Sequence, residues 1–381
     1  MGALYQHIVR PVLFGLSRSD PEIAHDITIA GLEAVSKRPM LRGVLRWRCQ
    51  VIDPRLEQRI WGLNFPNPIG LAAGGVKNAE GLHALEALGF GWVTAGTVVP
   101  QPQPGNPRPR TLRIPQVGGL INRMGFNSEG IAAVSQRMTW RSFERGTLTI
   151  PLGLSIGKQK DTPIEEAIRD YLFCIERMSP FVKFIEVNVS SPNTPELRKL
   201  QTRQYLRDFL QEIIRKVRSM AIAAGVEVNP KPVIVKISPD MVSVYEVAPI
   251  IQVCQEVGVA GIAAVNTTTG RQYLTDRGIR IAEQGGLSGP ALRTQALNII
   301  RFISRETNGL YPIIGIGGVN SVHSALEMIR AGAWLVGVLT GVMYEGPFLA
   351  SHINRGIVKF LERHSIPDIS HLRGWSENIG G

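Results

Sequence analysis

The sequence predicts an α/β protein built as a (β/α)8 TIM barrel, with a small helical extension at its N-terminus. Three observations carry that prediction. Eight short apolar runs, rich in β-branched residues, alternate with helix-period segments in one pass along the chain. The runs end in asparagine, lysine, threonine and glycine, and the carboxyl ends of its strands are where such a barrel keeps its chemistry. No GxGxxG follows the first strand, which argues against an open doubly wound sheet; Gly74-Gly75 is not that motif.

The N-terminal extension reads as two amphipathic helices, 3–16 and 20–37. Leu4, Ile8, Val12 and Leu13 recur at helical spacing in the first, and Asp20-Pro21-Glu22 starts the second. Pro39 is expected to end the pair. Basic residues dot the region: Arg10, Arg18, Lys37, Arg38, Arg42, Arg46 and Arg48. Such a pair could be a lid on the barrel or could dip into a membrane interface.

The strands follow at 68–73, 91–95, 151–156, 181–189, 232–237, 261–265, 312–316 and 334–338. Helices are expected at 79–88, 163–178, 203–223, 243–257, 290–306, 320–331 and 347–362. A proline-rich excursion, QPQPGNPRPRTLRIP, interrupts the alternation after the second strand. The expected division is therefore 1–48 as the helical segment, 49–365 as the barrel and 366–381 as an irregular tail.

Composition narrows the function. At 381 residues the chain can bury a full core. It has no run of about 18 apolar residues that would span a bilayer. Its start is not a signal peptide. The three cysteines, Cys49, Cys174 and Cys254, have neither metal spacing nor an even count, which suggests a reducing compartment and no metal site. None lies in a polar turn where a nucleophile would be expected. A formal net charge of +11 favours anionic partners.

One stretch organises the site. The fourth strand breaks at Pro192 into a loop, with Asn188, Ser191 and Asn193 at the break. Lys77, Asn122, Lys236, Asn266 and Thr267 would face the same mouth. Glycine turns at 317–318 and 340–341, after the seventh and eighth strands, fit a phosphate. Lys236 lies within an apolar strand, where it needs a partner such as a phosphate or a reduced ring, unless it snorkels out. The asparagines offer neutral donors and acceptors that suit a planar ring with imide and carboxylate groups.

The motifs NVSSPNTPELRKLQ, INRMGFNS, GNPRPRTLRIP, VKISPD, NTTT, GGLSG and PIIGIGG resemble dihydroorotate dehydrogenases of the quinone-dependent class, over about residues 1–362. The resemblance implies oxidation of (S)-dihydroorotate to orotate in pyrimidine biosynthesis, with FMN as hydride acceptor and a membrane quinone as final acceptor. It implies FMN contacts at Ala73, Gly74, Thr97, Ser155, Asn188, Lys236, Val265 and Leu339. Its phosphate would lie near Gly289, Gly317, Gly318, Thr340 and Gly341. Substrate would be held by Lys77, Asn122, Met124, Gly125, Phe126, Asn188, Asn193, Asn266 and Thr267. Ser191 would take the C5 proton while the C6 hydride passes to the flavin. Serine is a poor base by its own pKa, so a relay through Thr194 and a water is expected.

His25, Arg113 and Leu339 match quinone-contact places. The helical segment would rest on an anionic membrane surface, on the cytoplasmic face of a bacterial-type cell membrane. Several positions depart from the family pattern. Val76 stands in place of an acid and Gly75 in place of a larger residue. Ser155 replaces an asparagine, Val265 a threonine and Leu339 a tyrosine.

Two other readings compete. A flavin-dependent RNA uridine reductase would suit the charge, but it should carry a cysteine acid and a C-terminal helical RNA-binding domain. The chain has neither, so no nucleic acid is expected. A barrel relative with an altered acceptor or a lost redox role is the other.

Overall fold

The computed structural model describes residues 5–17, 20–225, 230–241 and 243–375. Residues 1–4, Arg18 and the end of the tail, 376–381, for which helix, charge and tail expectations were stated, lie outside them. Eight parallel strands close into a barrel: β3 (Ile69–Leu71), β4 (Trp92–Val98), β7 (Leu152–Ile156), β8 (Phe184–Asn188), β9 (Val233–Lys236), β10 (Gly261–Ala264), β12 (Ile313–Ile316) and β13 (Leu335–Val338). They neighbour one another in chain order, and β13 pairs back onto β3. These are the eight runs read from the sequence. Almost every residue in them is buried, because helices cover the outside and side chains fill the inside.

The interior is packed at its N-terminal end. A hairpin of β1 (Gln58–Ile60) and β2 (Leu63–Phe65) caps that end, and Trp61 and Phe65 meet there edge to face, with ring centroids 6.0 Å apart. Trp92 and Phe184 fill the space above. Two glycines make room for them: a Cβ on Gly70 would lie 2.0 Å from Trp92, and one on Gly153 would lie 2.1 Å from Phe184.

The extension departs from expectation. It holds three helical pieces: 5–16, Pro21–Ser36 and Pro39–Cys49. Pro39 opens a helix, since a proline at the first turn loses no hydrogen bond it could have made. The first piece begins as one π-turn, Tyr5–Val9, and becomes α-helical at Arg10–Leu16. Pro11, which has no N–H, interrupts the regular ladder there.

A helix at Gly130–Arg145 was not anticipated, although Ile131, Val134 and Met138 form a buried stripe. The proline-rich excursion ends in β5 (Thr111–Ile114), which joins β6 (Gly119–Asn122) and β11 (Gly286–Ser288) in a small antiparallel sheet, in the order β11-β6-β5. The tail is not wholly irregular. Ile366, Ile369 and Leu372 are buried, and Trp375 packs edge to face on Phe360.

Candidate active site

One cavity of about 500 Å³ runs from the carboxyl end of the barrel to the N-terminal helices. Its inner part is polar. The Asn188 amide donates to Thr97 Oγ1 at 3.0 Å, and Thr97 shares a 2.9 Å hydrogen bond with Ser155. The Asn266 amide donates to Asn188 Oδ1 at 3.3 Å and to Ser190 Oγ at 3.0 Å. Asn193 Nδ2 donates to the Asn122 carbonyl at 3.1 Å, which ties the loop after β8 to the small sheet. The four asparagines thus hold one another in fixed orientations, as a polar site needs if it is to recognise a flat ligand.

Ser191 is buried and lines this part; its Oγ accepts the Asn193 backbone N–H at 3.2 Å. Thr194 Oγ1 is buried with no hydrogen-bond partner among the described residues and makes no bond to Ser191.

Two lysines face the cavity. Lys236 is paired in the barrel interior with Glu186 of the adjacent strand, at 3.4 Å. The register makes the pair: Asn188 lies beside Lys236 and Glu186 beside Ile234. Among the described residues no carboxylate lies within ion-pair distance of Lys77; burial holds its ammonium down to about 8, and Glu22 only partly offsets this. A lysine so placed is set up to receive an anion.

The wall formed by the chain just after β11, β12 and β13 carries Gly289, Gly317, Gly318 and Gly341. Gly289, Gly317 and Gly318 have φ of 95°, 144° and 71°, a region open to glycine. A Cβ on Gly341 would lie 2.2 Å from the Val319 carbonyl oxygen. Backbone therefore lines this wall closely, which suits a phosphate. Thr340 Oγ1 donates to Ser288 Oγ at 2.8 Å beside it.

The outer part is mostly apolar: Val9, Leu13, Phe14 and Ile27 come from the helices, Leu120 from β6 and Leu339 from the end of β13. Arg113 enters it from β5, its guanidinium 3.8 Å from the Phe14 ring centre. His25 is not a plain surface histidine. Its Nε2 lies 2.9 Å from the Gly75 carbonyl oxygen, joining the second helix to the barrel mouth. Glu22, on the same helix, is buried against Arg110 at 2.6 Å and also pairs with Arg108 at 2.9 Å.

All the residues expected at the site line this cavity except Ser155 and Thr194. Ser155 is fully buried and reaches the cavity only through Thr97. Glu22, Glu186 and Asn127 were missed. Glu186 could have been found, because a carboxylate two residues before Asn188 in an apolar strand needs a cation as much as Lys236 needs an anion. Asn127 lines the cavity with its Oδ1 buried and unpartnered.

The fold and this site define a barrel enzyme whose polar, lysine-bearing mouth lies beside a glycine-lined wall and an apolar channel. Residues 55–361 match the dihydroorotate dehydrogenase family, and the chain belongs to it. It is 43% identical over 355 residues to the dihydroorotate dehydrogenase (quinone) of Chloroflexus aurantiacus, covering 93% of this chain and 96% of the relative. It is 40% identical to that of Roseiflexus castenholzii, covering 97% of this chain and 96% of the relative. Among solved structures it resembles DHODH of Eimeria tenella in complex with ferulenol, with a TM-score of 0.82 and 34% identity, covering 96% of this chain and 99% of that one.

Proposed function

We propose that this chain oxidises dihydroorotate to orotate and passes the electrons to a quinone, as a step of pyrimidine biosynthesis. The cavity carries the reading. Its inner part suits a small ring bearing a carboxylate and an imide, its outer part suits a quinone, and the glycine-lined wall runs beside both. That wall fits flavin mononucleotide, with Gly289, Gly317, Gly318, Thr340 and Gly341 at the phosphate and Ala73, Gly74, Thr97, Val265 and Lys236 along the ring. Bound there, the flavin supplies the two-electron carrier between substrate and quinone.

The chain's own residues do the rest. Lys77 neutralises the substrate carboxylate, and Asn122, Asn188, Asn193, Asn266 and Thr267 orient the ring by hydrogen bonds. Met124, Gly125 and Phe126 close the pocket around it. Ser191 Oγ takes the C5 proton. Its own proton must leave at the same time, and the unpartnered Thr194 hydroxyl supports a relay by way of a water. The buried Glu186 keeps Lys236 in place beside the ring. His25 and Arg113 supply polar contacts to a quinone head group, and Leu339 supplies only apolar surface.

The third helical piece of the extension is suited to an anionic membrane surface. Met40, Val44 and Trp47 are 86%, 62% and 84% exposed, with Arg38, Arg42, Arg46 and Arg48 on the same helix or at its start. Among the described residues no helix is long and apolar enough to cross a membrane. This supports a peripheral position. Three buried free thiols suit the reducing, cytoplasmic face.

The test is direct. The purified protein should be yellow, should bleach with dihydroorotate under anaerobic conditions, and should recover its colour with a quinone but not with fumarate or NAD. A protein without flavin, or one whose flavin dihydroorotate does not reduce, overturns the reading.

A further inference from the structure

Behind the substrate pocket, the loops after β8, β9 and β10 meet at one carboxylate. Asp240 follows β9. Arg198 Nη1 lies 3.0 Å from Asp240 Oδ2, and Arg198 Nε donates to the Ser190 carbonyl at 3.3 Å, next to Ser191. On its other side Asp240 accepts the Thr269 N–H and the Thr269 hydroxyl, each at 2.7 Å, and the Thr268 hydroxyl as well. Neither Arg198 nor Asp240 lines the cavity, and both side chains are largely covered, 28% and 16% exposed.

We propose that Arg198 and Asp240 are positioning residues, whose ion pair locks the loop of Ser191 to the loop of Asn266 and Thr267 and so sets the base against the substrate carbon. The proposal rests on the functional reading above. Within the pocket itself Asn266 joins the two loops by neutral bonds alone, to Ser190 Oγ at 3.0 Å and to Asn188 Oδ1 at 3.3 Å. Neutral hydrogen bonds contribute about half of what charge-assisted ones do, so the charged hub with five bonds is the stronger tie between the loops. Burial pushes the Asp240 carboxyl up, but the bonds from Thr268 and Thr269 and the Arg198 charge outweigh it, so Asp240 stays ionised. A displacement of the base by about 1 Å can cost on the order of 100-fold in rate.

The experiment uses holoprotein and separates the half-reactions by stopped flow. Arg198→Gln and Asp240→Asn should each slow flavin reduction by dihydroorotate about 10- to 100-fold. Quinone reoxidation and flavin content should be unchanged. The double variant should be no slower than the slower single variant, because both remove one hub. Arg198→Lys should recover part of the rate. Thr269→Val, which removes only one hydroxyl from the hub, should slow reduction by a few-fold and keeps the test open if the charge variants do not fold. Unchanged reduction in these variants overturns the proposal. Equal losses in both half-reactions with loss of flavin also overturn it, since that is the mark of a purely structural pair. A parent protein whose flavin dihydroorotate does not reduce instead overturns the functional reading, and the parent control tells the two failures apart.

Discussion

Lys77 and Ser191 divide the chemistry between charge and proton transfer. Burial depresses the Lys77 ammonium to about 8, so its charge is lost within an accessible pH range. An anion binds the charged form. Orotate affinity should therefore be flat below about pH 7 and weaken towards tenfold per pH unit above about pH 8. Lys77→Arg should remove that dependence, and equal orotate affinity at about pH 7 and about pH 10 in the parent would exclude Lys77 as the anion partner. The stability linkage runs the opposite way. Because the folded value is depressed, the unfolded chain holds more protons above about pH 8, and the unliganded fold gains stability from this group as pH rises. Ser191→Ala should lower turnover ~10²–10⁴-fold with flavin still bound, as measured by steady-state assay and absorbance. Turnover close to the parent's would remove Ser191 from the base role.

At the scale of elements, the Pro21–Ser36 helix is fastened to the barrel mouth by groups that no local pattern discloses. Glu22 pairs with Arg110, 88 positions away, and Arg141 of the unanticipated helix pairs with Glu33 at 2.7 Å. Burial raises the Glu22 carboxyl, and the Arg110 and Arg108 contacts more than reverse this, so its stabilising effect is lost as pH falls through the depressed value. Glu22→Gln leaves Arg110 buried without its counter-charge. It should destabilise the protein by about 3–5 kcal/mol in urea unfolding and weaken quinone kinetics more than dihydroorotate kinetics. An unfolding midpoint equal to the parent's would show that the pair holds nothing.

For the molecule as a whole, the exposed apolar face of the helical segment and its arginines predict peripheral membrane binding. Each basic residue near an anionic surface contributes ~1 kcal/mol, and screening removes that term. Folded, yellow protein should sediment with anionic vesicles at low salt and be released as salt is raised. Protein that ignores such vesicles would contradict the proposed surface.

The sequence by itself determined the barrel, its eight strands and most of the polar and glycine part of the cavity lining. These are local signals: period-2 and period-3.6 patterns, and polar residues placed just past a strand end. The motifs around Ser191 and Asn266 could likewise be read in a single line. The tertiary structure decided what depends on distant partners. The β5–β6–β11 sheet joins residues from 111 to 288, so neither edge looks like a sheet from its own neighbourhood. Lys236 could be seen to need an anion, but only barrel closure and the β8–β9 register showed that Glu186 supplies it. Pro39 looked like a stop and proved to be a start, because a proline is tolerated at a helix's first turn and only packing against the barrel shows which side of it the helix takes.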